Sequence, residues 1–372
     1  MTTDPIGLYV HIPFCVRKCN YCDFCSVPDN TDLRERYVDA LITEIESHKT
    51  SPRIKIDTVF FGGGTPSLLS AEQFGSIVKA IKRSFYLCDD YEFTVEVNPG
   101  TANGTIFRAF KEHGVNRISI GFQSMHDNEQ KILGRIHNYD DFYDTMELAR
   151  SLGFDNINVD VMYGIPEQTP ASFKNSLLAV TDLSPEHISC YGLIVEDGTP
   201  FGDRRDELDL PDEDLEAEMY QLACELLRKK GYEHYEISNY ARRGKQCRHN
   251  LKYWRDEDYI GVGLAAHSYY KGERLYNTDS FDEYLPCDRA KYQYAERRPG
   301  KDAFEYIMLA LRLSEGLSLI KYEGIFGESF LKGRERILAR YAELGLIDIS
   351  KATVRLTEKG FYLSNTIISD LV

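Results

Sequence analysis

The chain has 372 residues, 42% of them hydrophobic, which is enough for one large domain plus a smaller one. Its formal net charge of −15 disfavours a general nucleic-acid-binding surface, and we expect no nucleic-acid partner. No apolar run approaches the roughly 18 residues that a membrane-spanning helix needs, so the sequence predicts a soluble, cytoplasmic protein.

The first two-thirds of the chain alternates short β-branched or aromatic runs with longer amphipathic stretches. This alternation predicts α/β structure, with βα units around a parallel sheet. A helix is expected over Leu33–Ser47 because its apolar side chains fall on one face. Six strands are expected, at Leu8–Ile12, Thr58–Phe61, Phe93–Val97, Arg117–Phe122, Asn156–Met162 and His187–Leu193.

Polar and glycine residues recur where these predicted strands end. Gly62-Gly63-Gly64-Thr65 follows the second strand, Asn98-Pro99-Gly100 follows the third and Gln123 follows the fourth. In open α/β sheets and in α/β barrels, ligands bind at the carboxyl ends of the strands. The sequence therefore predicts a ligand site at this edge.

The pattern changes after about residue 200, where Asp212–Lys230 is predicted to form a long helix. Near the C-terminus, helices alternate with one β-hairpin, which indicates a smaller α+β region that resembles a winged helix. Its expected elements are helices at Ala303–Leu313, Lys332–Leu344 and Glu358–Leu371 and a hairpin at Ile347–Leu356. We divide the chain into residues 1–200, 201–295 and 296–372.

Three cysteines, Cys15, Cys19 and Cys22, follow the first predicted strand with the spacing C-x3-C-x2-C. Three thiolates on one tight loop can bind three irons of a [4Fe–4S] cluster and leave the fourth iron open. Ordinary electron-transfer clusters use four cysteines instead.

Zinc is the main alternative, although its sites usually pair one C-x2-C with a second pair elsewhere. The nine cysteines are an odd number in a chain without a recognisable signal peptide, which disfavours a disulfide scaffold. Cys25 stays unassigned, because Cys19, Cys22 and Cys25 also read as C-x2-C-x2-C. The remaining cysteines are expected to be packing residues: Cys88, Cys190, Cys224, Cys247 and Cys287.

The cysteine spacing and the glycine-rich turn one βα unit later resemble the radical S-adenosylmethionine (SAM) enzymes. In those proteins the open iron binds SAM, and one electron splits it into methionine and a 5′-deoxyadenosyl radical. The resemblance implies a partial (β/α)6 barrel for residues 1–200, extended by residues 201–295. It also implies SAM contacts for residues along the barrel mouth: Tyr9, Tyr21, Gly63, Gly64, Thr65, Glu96, Gln123, Arg135 and Asp160.

Several longer segments resemble the oxygen-independent coproporphyrinogen III oxidase family. They are Tyr9–Cys15, Phe61–Ser67, Arg117–Ser124 and Leu133–His137. Two departures point away from the dehydrogenase of that family: Phe24 stands where it has a fourth cysteine, and we see no N-terminal extension. Tyr232–Ala241 instead resembles the heme-chaperone branch, as does His249-Asn250-Leu251-Lys252-Tyr253-Trp254, which fits an H-N-x-x-Y-W motif.

The H-N-x-x-Y-W segment also contains residue types that can bind heme. His249 can offer a neutral imidazole to heme iron, while Tyr253 and Trp254 can cover a porphyrin face. The alternative is a packed corner in which the histidine is hydrogen-bonded internally. His267 and Cys247 are competing candidate ligands.

The resemblance implies a heme chaperone that carries a SAM-bound [4Fe–4S] cluster and transfers heme to apo-hemoproteins such as respiratory cytochromes. Contact with membrane-bound recipients at the membrane surface follows as an expectation. Whether SAM is cleaved productively, and hence whether the protein is an enzyme, stays open. The main alternative is oxidative decarboxylation of coproporphyrinogen III, and a further one is a heme-opening methyltransferase.

Overall fold

A computed structural model describes residues 4–286, 294–300 and 302–372. Its main feature is a twelve-stranded sheet, with a separate three-stranded sheet near the C-terminus. In chain order the strands are β1 (Ile6–Ile12), β2 (Lys55–Gly63), β3 (Tyr86–Val97), β4 (Arg117–Gln123), β5 (Ile157–Tyr163), β6 (His187–Gly192), β7 (Glu233–Glu236), β8 (Asn239–Ala241), β9 (Tyr259–Val262), β10 (His267–Tyr270), β11 (Glu273–Tyr276), β12 (Glu296–Pro299), β13 (Leu317–Ser318), β14 (Ile347–Ile349) and β15 (Thr353–Leu356).

Helices cover the sheet and build the C-terminal region, and short 3₁₀ turns at Pro66–Leu68 and Gly202–Glu207 each lie between a strand and the next helix. The α-helices are α1 (Thr31–Ser47), α2 (Ala71–Ser84), α3 (Gly104–His113), α4 (Asp127–Ile132), α5 (Tyr139–Ser151), α6 (Pro170–Asp182), α7 (Glu213–Lys229), α8 (Arg248–Trp254), α9 (Phe281–Tyr284), α10 (Ala303–Ala310), α11 (Leu319–Phe326), α12 (Glu335–Glu343), α13 (Glu358–Tyr362) and α14 (Ser364–Leu371).

The six predicted strands are present as β1 to β6, and each pairs in parallel with the next. The sheet order is β12-β11-β10-β9-β1-β2-β3-β4-β5-β6-β8-β7, an open sheet that curves as a partial barrel. Strand β4 is buried along its whole length, as expected for a parallel sheet with helices outside and side chains inside. The α/β prediction with a partial barrel and a smaller C-terminal region is therefore confirmed.

A seventh parallel strand, β9, comes from the barrel extension and pairs with β1 on the side away from β2. Sequence reasoning missed it because the segment is short and rich in glycine. Gly261 is required there, because a Cβ atom at this position would lie 2.1 Å from the carbonyl oxygen of His267. Strands β10, β11 and β12 then continue the sheet in antiparallel fashion.

The C-terminal elements differ from the prediction in detail. The hairpin is formed by β14 and β15, and β13 adds a third strand to it. The single last helix is divided at Leu363 into α13 and α14. Cys190, Cys224 and Cys247 are buried and Cys88 is half-buried, whereas Cys287 lies outside the described residues.

Within the described ranges, the helices are too short or too polar to cross a membrane.

A buried carboxylate joins the extension to the barrel. Glu44 of α1 accepts hydrogen bonds from the backbone N–H of Gly263 (2.9 Å), from Asn277 Nδ2 (2.8 Å) and from the Tyr284 hydroxyl (2.5 Å). The Glu44 side chain is fully buried, so its carboxylate needs these donors to replace water. This contact fixes the turn that follows β9.

We expect Glu44→Ala to lower the free energy of unfolding by about 2–4 kcal/mol, because it removes a buried, charged acceptor whose hydrogen bonds join α1 to the extension. Urea denaturation followed by circular dichroism measures the change. Glu35→Ala, at an exposed position on the same helix, is the control and should change stability by less than about 0.5 kcal/mol. Equal effects of the two substitutions would show that Glu44 does not hold the extension.

Candidate cluster and cofactor site

The cysteine loop leaves the end of β1 and is closed at its base by a two-residue parallel ribbon. Phe14–Cys15 pairs with Val27–Pro28, and the N–H of Val27 donates to the Pro13 carbonyl at 2.7 Å. The middle of the loop is tied to the barrel through Asn20, whose backbone and side-chain N–H groups donate to the carbonyls of Leu133 and Ile132. The loop is thus held at both ends and in the middle.

The three predicted ligands surround one cavity of about 140 Å³ at the carboxyl ends of the strands. Most of the predicted cofactor residues line it as well. The predicted residues on this cavity are Cys15, Cys19, Tyr21, Cys22, Gly63, Gly64, Glu96, Gln123, Arg135 and Asp160. The cysteine loop and the strand ends therefore meet at one place.

Cys25 lies outside this lining, although the sequence leaves it as an alternative ligand. Its carbonyl accepts a hydrogen bond from His11 Nε2 at 2.8 Å, and its side chain packs against the hydrophobic core. These contacts separate Cys25 from the other three cysteines of the loop.

The three thiols on the cavity lining offer the donors of a [4Fe–4S] cluster, in which each thiolate binds a separate iron. Within the described residues, no three or more His, Cys, Asp or Glu side chains are grouped around one point as ligands of a single metal ion would be. Burial raises the pKa of the Cys15 thiol and raises that of Cys22 to about 11, so binding of iron has to displace thiol protons.

Two glycines at the end of β2 let the backbone approach β1 closely. A Cβ atom on Gly64 would lie 2.7 Å from the carbonyl oxygens of Ile12 and Phe14, and Gly63 has a left-handed φ of 104°. The N–H of Gly63 donates to Glu96 Oε2 at 3.2 Å. The turn thus presents backbone, rather than side chains, to the cavity.

Arg135 connects the cysteine loop to the strand ends. One guanidinium nitrogen, Nη1, lies 3.9 Å from Cys19 Sγ and donates to the Tyr21 hydroxyl at 3.3 Å. The other, Nη2, donates to Asn98 Oδ1 at 2.9 Å and to the Gly121 carbonyl at 2.7 Å. This places a fixed positive charge beside the cysteine loop, where thiolates and an anionic cluster need one.

Glu96 and Asp160 face the same cavity from β3 and β5. Burial, together with the charge of Asp160, raises the pKa of Glu96 to about 8. Burial also raises the pKa of Asp160, against a hydrogen bond from Asn158 Nδ2 at 2.7 Å. Two neighbouring carboxyl groups with raised pKa values favour a cationic ligand, and SAM carries an ammonium and a sulfonium group.

Gln123 ends β4 in a left-handed conformation, with φ of 66°, which is uncommon for a residue other than glycine. Its Nε2 donates to the Tyr191 hydroxyl at 3.3 Å. Its Oε1 is buried and has no hydrogen-bond partner among the residues that the structure describes. An unpaired acceptor on the cavity wall fits a ligand with a donor group.

Two predicted residues lie just behind the cavity. The Thr65 hydroxyl donates to Cys15 Sγ at 3.6 Å and accepts from Asn98 Nδ2 at 2.8 Å. The Tyr9 hydroxyl is hydrogen-bonded to His11 Nδ1 at 3.0 Å, and its ring stacks on Phe60. Both residues support the lining instead of forming it.

Sequence reasoning missed two residues of this site, Asn98 and Tyr191, which also line the cavity. Asn98 bridges Thr65 and Arg135, and its position directly after β3 was a usable signal. Tyr191 lies inside β6 and nothing in its sequence context distinguishes it from a core tyrosine.

His249 packs beside β2 and lies outside the lining of the cavity beside the cysteine loop. Its Nδ1 is 2.8 Å from Thr58 Oγ1, its Nε2 is 2.8 Å from the Tyr253 hydroxyl, and its ring stacks on Phe60. Burial lowers the pKa of His249 to about 3, so the ring is neutral. Both ring nitrogens are engaged, which favours the packed-corner alternative for this motif.

The two competing iron-ligand candidates have different surroundings. Cys247 is buried, its Sγ lies 3.6 Å from Glu92 Oε1, and burial raises the pKa of its thiol to about 12. His267 is exposed on β10, where its ring packs edge-on against Tyr276.

The chain is similar to known proteins in sequence and in fold. The Radical SAM superfamily matches residues 9–180, and the HemN C-terminal domain matches residues 301–363. The solved structure of coproporphyrinogen III oxidase (HemN) from Escherichia coli superposes with a TM-score of 0.85 at 24% identity, over 99% of this chain and 90% of that chain. This likeness confirms the fold.

Relatives of known name are closer in sequence. Heme chaperone HemW of Lactococcus lactis is 35% identical over 99% of this chain and 97% of that protein. The HemW of Bacillus subtilis is 35% identical over 96% and 97%, and that of Escherichia coli is 37% identical over 86% and 87%. A radical SAM domain implies a [4Fe–4S] cluster and SAM. The chain belongs to the HemW family of radical SAM proteins.

Proposed function

We propose that the protein is a heme chaperone, which binds heme and transfers it to apo-hemoproteins while carrying a SAM-bound [4Fe–4S] cluster. The observation that carries the proposal is its similarity over nearly the full length to proteins named heme chaperone HemW. The cavity beside the cysteine loop supports the cofactor part of the proposal. Respiratory cytochromes in or at the membrane are the proposed recipients, and the cytoplasm is the proposed location.

In this proposal Cys15, Cys19 and Cys22 hold the cluster. When bound, the cluster offers one open iron for chelation of SAM and supplies an electron to it. The residues of the chain do the rest: Arg135 balances negative charge beside the loop, and Glu96 accepts hydrogen bonds from a cationic or hydroxyl-bearing ligand. Gly63 and Gly64 keep the turn free of side chains.

The remaining SAM contacts are proposed for Tyr9, Tyr21, Thr65, Gln123 and Asp160. Tyr21 and Gln123 are on the cavity lining and can touch the ligand directly, whereas Tyr9 and Thr65 act through their neighbours. The division into residues 1–200, 201–295 and 296–372 is likewise a proposal, in which the first part carries the cofactors.

His249 is a proposed axial ligand only if the Tyr253 hydroxyl leaves its Nε2, because both ring nitrogens are engaged. Without that change, its role is to hold the α8 segment in place.

The cluster assignment predicts the outcome of single substitutions. Replacing Cys15, Cys19 or Cys22 with Ala should abolish the visible iron–sulfur absorption after anaerobic reconstitution, because each thiolate binds its own iron. Cys25→Ala is the matched control on the same loop and should keep the absorption. Loss of the cluster in the Cys25 variant would show that the ligands follow the other cysteine spacing.

The raised pKa of Glu96 predicts a conflict between stability and ligand binding. In the cluster-free folded protein Glu96 keeps a proton up to about pH 8, whereas in the unfolded chain it loses the proton near the ordinary glutamate pKa of 4.5. Stability therefore falls as the pH rises through this window, and Glu96→Gln should be more stable than the parent at pH 8 by at least about 1 kcal/mol. At pH 5 the two proteins should differ little.

Urea denaturation at both pH values measures this difference. The same variant, reconstituted with its cluster, should bind SAM at least roughly tenfold more weakly in a calorimetric titration, since a charge-assisted hydrogen bond is lost. Asp23→Asn, at an exposed position on the cysteine loop, is the control for both measurements. A Glu96→Gln protein that binds SAM normally would remove Glu96 from the site.

Decarboxylation chemistry separates the chaperone from the dehydrogenase. Phe24, which replaces the fourth cysteine of the dehydrogenase motif, is 59% exposed beside the cluster cavity. With SAM, a reductant and coproporphyrinogen III under anaerobic conditions, we expect mass spectrometry to find no decarboxylated porphyrinogen. An apo-form of a b-type cytochrome should instead take up heme faster from the heme-loaded protein than from free heme in solution. Decarboxylated product would overturn the proposal in favour of the enzyme.

A further inference from the structure

A second cavity, of about 410 Å³, lies between the end of α8 and the C-terminal region. Trp254, the last residue of the H-N-x-x-Y-W segment, lines it from the barrel side. Tyr306, Leu313 and Ile325 line it from the C-terminal side. It shares none of its lining residues with the cavity beside the cysteine loop. Its volume falls within the range that is usual for small-molecule sites, roughly 300–1,000 Å³.

The lining combines flat apolar surface with charged side chains of both signs. The Arg255 guanidinium makes two hydrogen bonds to the Glu315 carboxylate, at 3.0 and 3.2 Å, and this pair is exposed to solvent. Exposed pairs of this kind contribute little stability, so Arg255 can exchange Glu315 for another carboxylate. Lys321 on the same lining forms no ion pair with any residue that the structure describes. The lining also carries two carboxylates, but Asp256 is paired with Arg274 at 2.8 Å and Glu315 is paired with Arg255. With both carboxylates paired, an aromatic wall that has Lys321 and an exchangeable Arg255 at its edge suits a flat, apolar dicarboxylic acid.

The neighbouring residues of the motif hold Trp254 in this position. Glu92 of β3 accepts hydrogen bonds from the backbone N–H groups of Arg248 and His249, both at 3.0 Å, and so anchors the start of α8. The contact of His249 Nε2 with the Tyr253 hydroxyl then joins one turn of the helix to the next. With both ends of the motif fixed, its last side chain is directed to the cavity.

We propose that this second cavity is the heme site, where a porphyrin face lies on Trp254 and its propionates pair with Lys321 and Arg255. The inference rests on the proposed heme-chaperone function and names its binding site. Recognition acts through the porphyrin face and the carboxylates, and His249 acts as a positioning residue and not as an iron ligand.

The protein offers a built-in reporter, because Trp254 is its one tryptophan. Titration of the reconstituted full-length protein with hemin, and separately with iron-free protoporphyrin IX, should quench the Trp254 fluorescence. The two affinities should agree within about threefold, because an axial iron ligand is not required.

Two exposed positions of the lining allow matched variants that leave the core intact. Lys321→Glu and Ile325→Glu should each weaken binding of both porphyrins roughly tenfold or more, by charge repulsion and by loss of apolar contact. The controls are Lys332→Glu and Leu344→Glu, which make the same changes at exposed positions outside the lining. Cluster absorption should be unchanged in all four variants.

The outcomes separate this inference from the function on which it rests. Normal heme binding by the Lys321 and Ile325 variants would overturn the cavity as the site but leave the chaperone proposal standing. Tight binding of hemin together with weak binding of iron-free porphyrin would also overturn it and would favour an iron ligand such as His249. A parent protein that binds no heme would overturn both proposals.

Discussion

The site depends above all on one guanidinium group that spans separate parts of the chain. Arg135 contacts the cysteine loop at Cys19 and Tyr21, the end of β3 at Asn98 and the end of β4 at Gly121. Its rigid fork of donors can serve these acceptors only if the loop and both strands keep their spacing. The same charge that holds the cysteine loop also suits an anionic cluster, so structure and cofactor binding use one interaction.

Two carboxyl groups line the same cavity as Arg135, and they destabilise the site, whereas Arg135 stabilises it. Burial makes the charged forms of Glu96 and Asp160 costly without a cationic partner, and the charge of Asp160 adds to the tendency of Glu96 to stay protonated. The unpaired Oε1 of Gln123 and its left-handed backbone are further unfavourable features on the same cavity wall. Functional sites commonly retain such features because a ligand relieves them, and the surrounding sheet provides the stability that tolerates them.

The parts of the structure that could be predicted from the sequence are those with local signals. The six parallel strands follow from short apolar runs, and the convergence of Glu96, Gln123 and Asp160 follows from the rule that parallel strands end at one edge. Strand β9 could not be predicted, since its pairing with β1 is a contact across some 250 residues. The contacts of His249 could not be predicted either, because Thr58 is 191 residues away in the chain and Glu92 is 157 residues away.

Strand β3 provides a physical link between the two cavities. Glu96 lies near its carboxyl end on the cluster cavity, and Glu92 on the same face anchors α8, which carries Trp254. Four residues of extended strand correspond to roughly 13 Å, so the anchor of α8 and the cofactor carboxylate are close but separate. A strand paired on both sides is stiff, and it cannot shift at Glu96 without moving Glu92. Any influence of SAM on heme retention would therefore be transmitted as a displacement of α8, with no contact between heme and cluster.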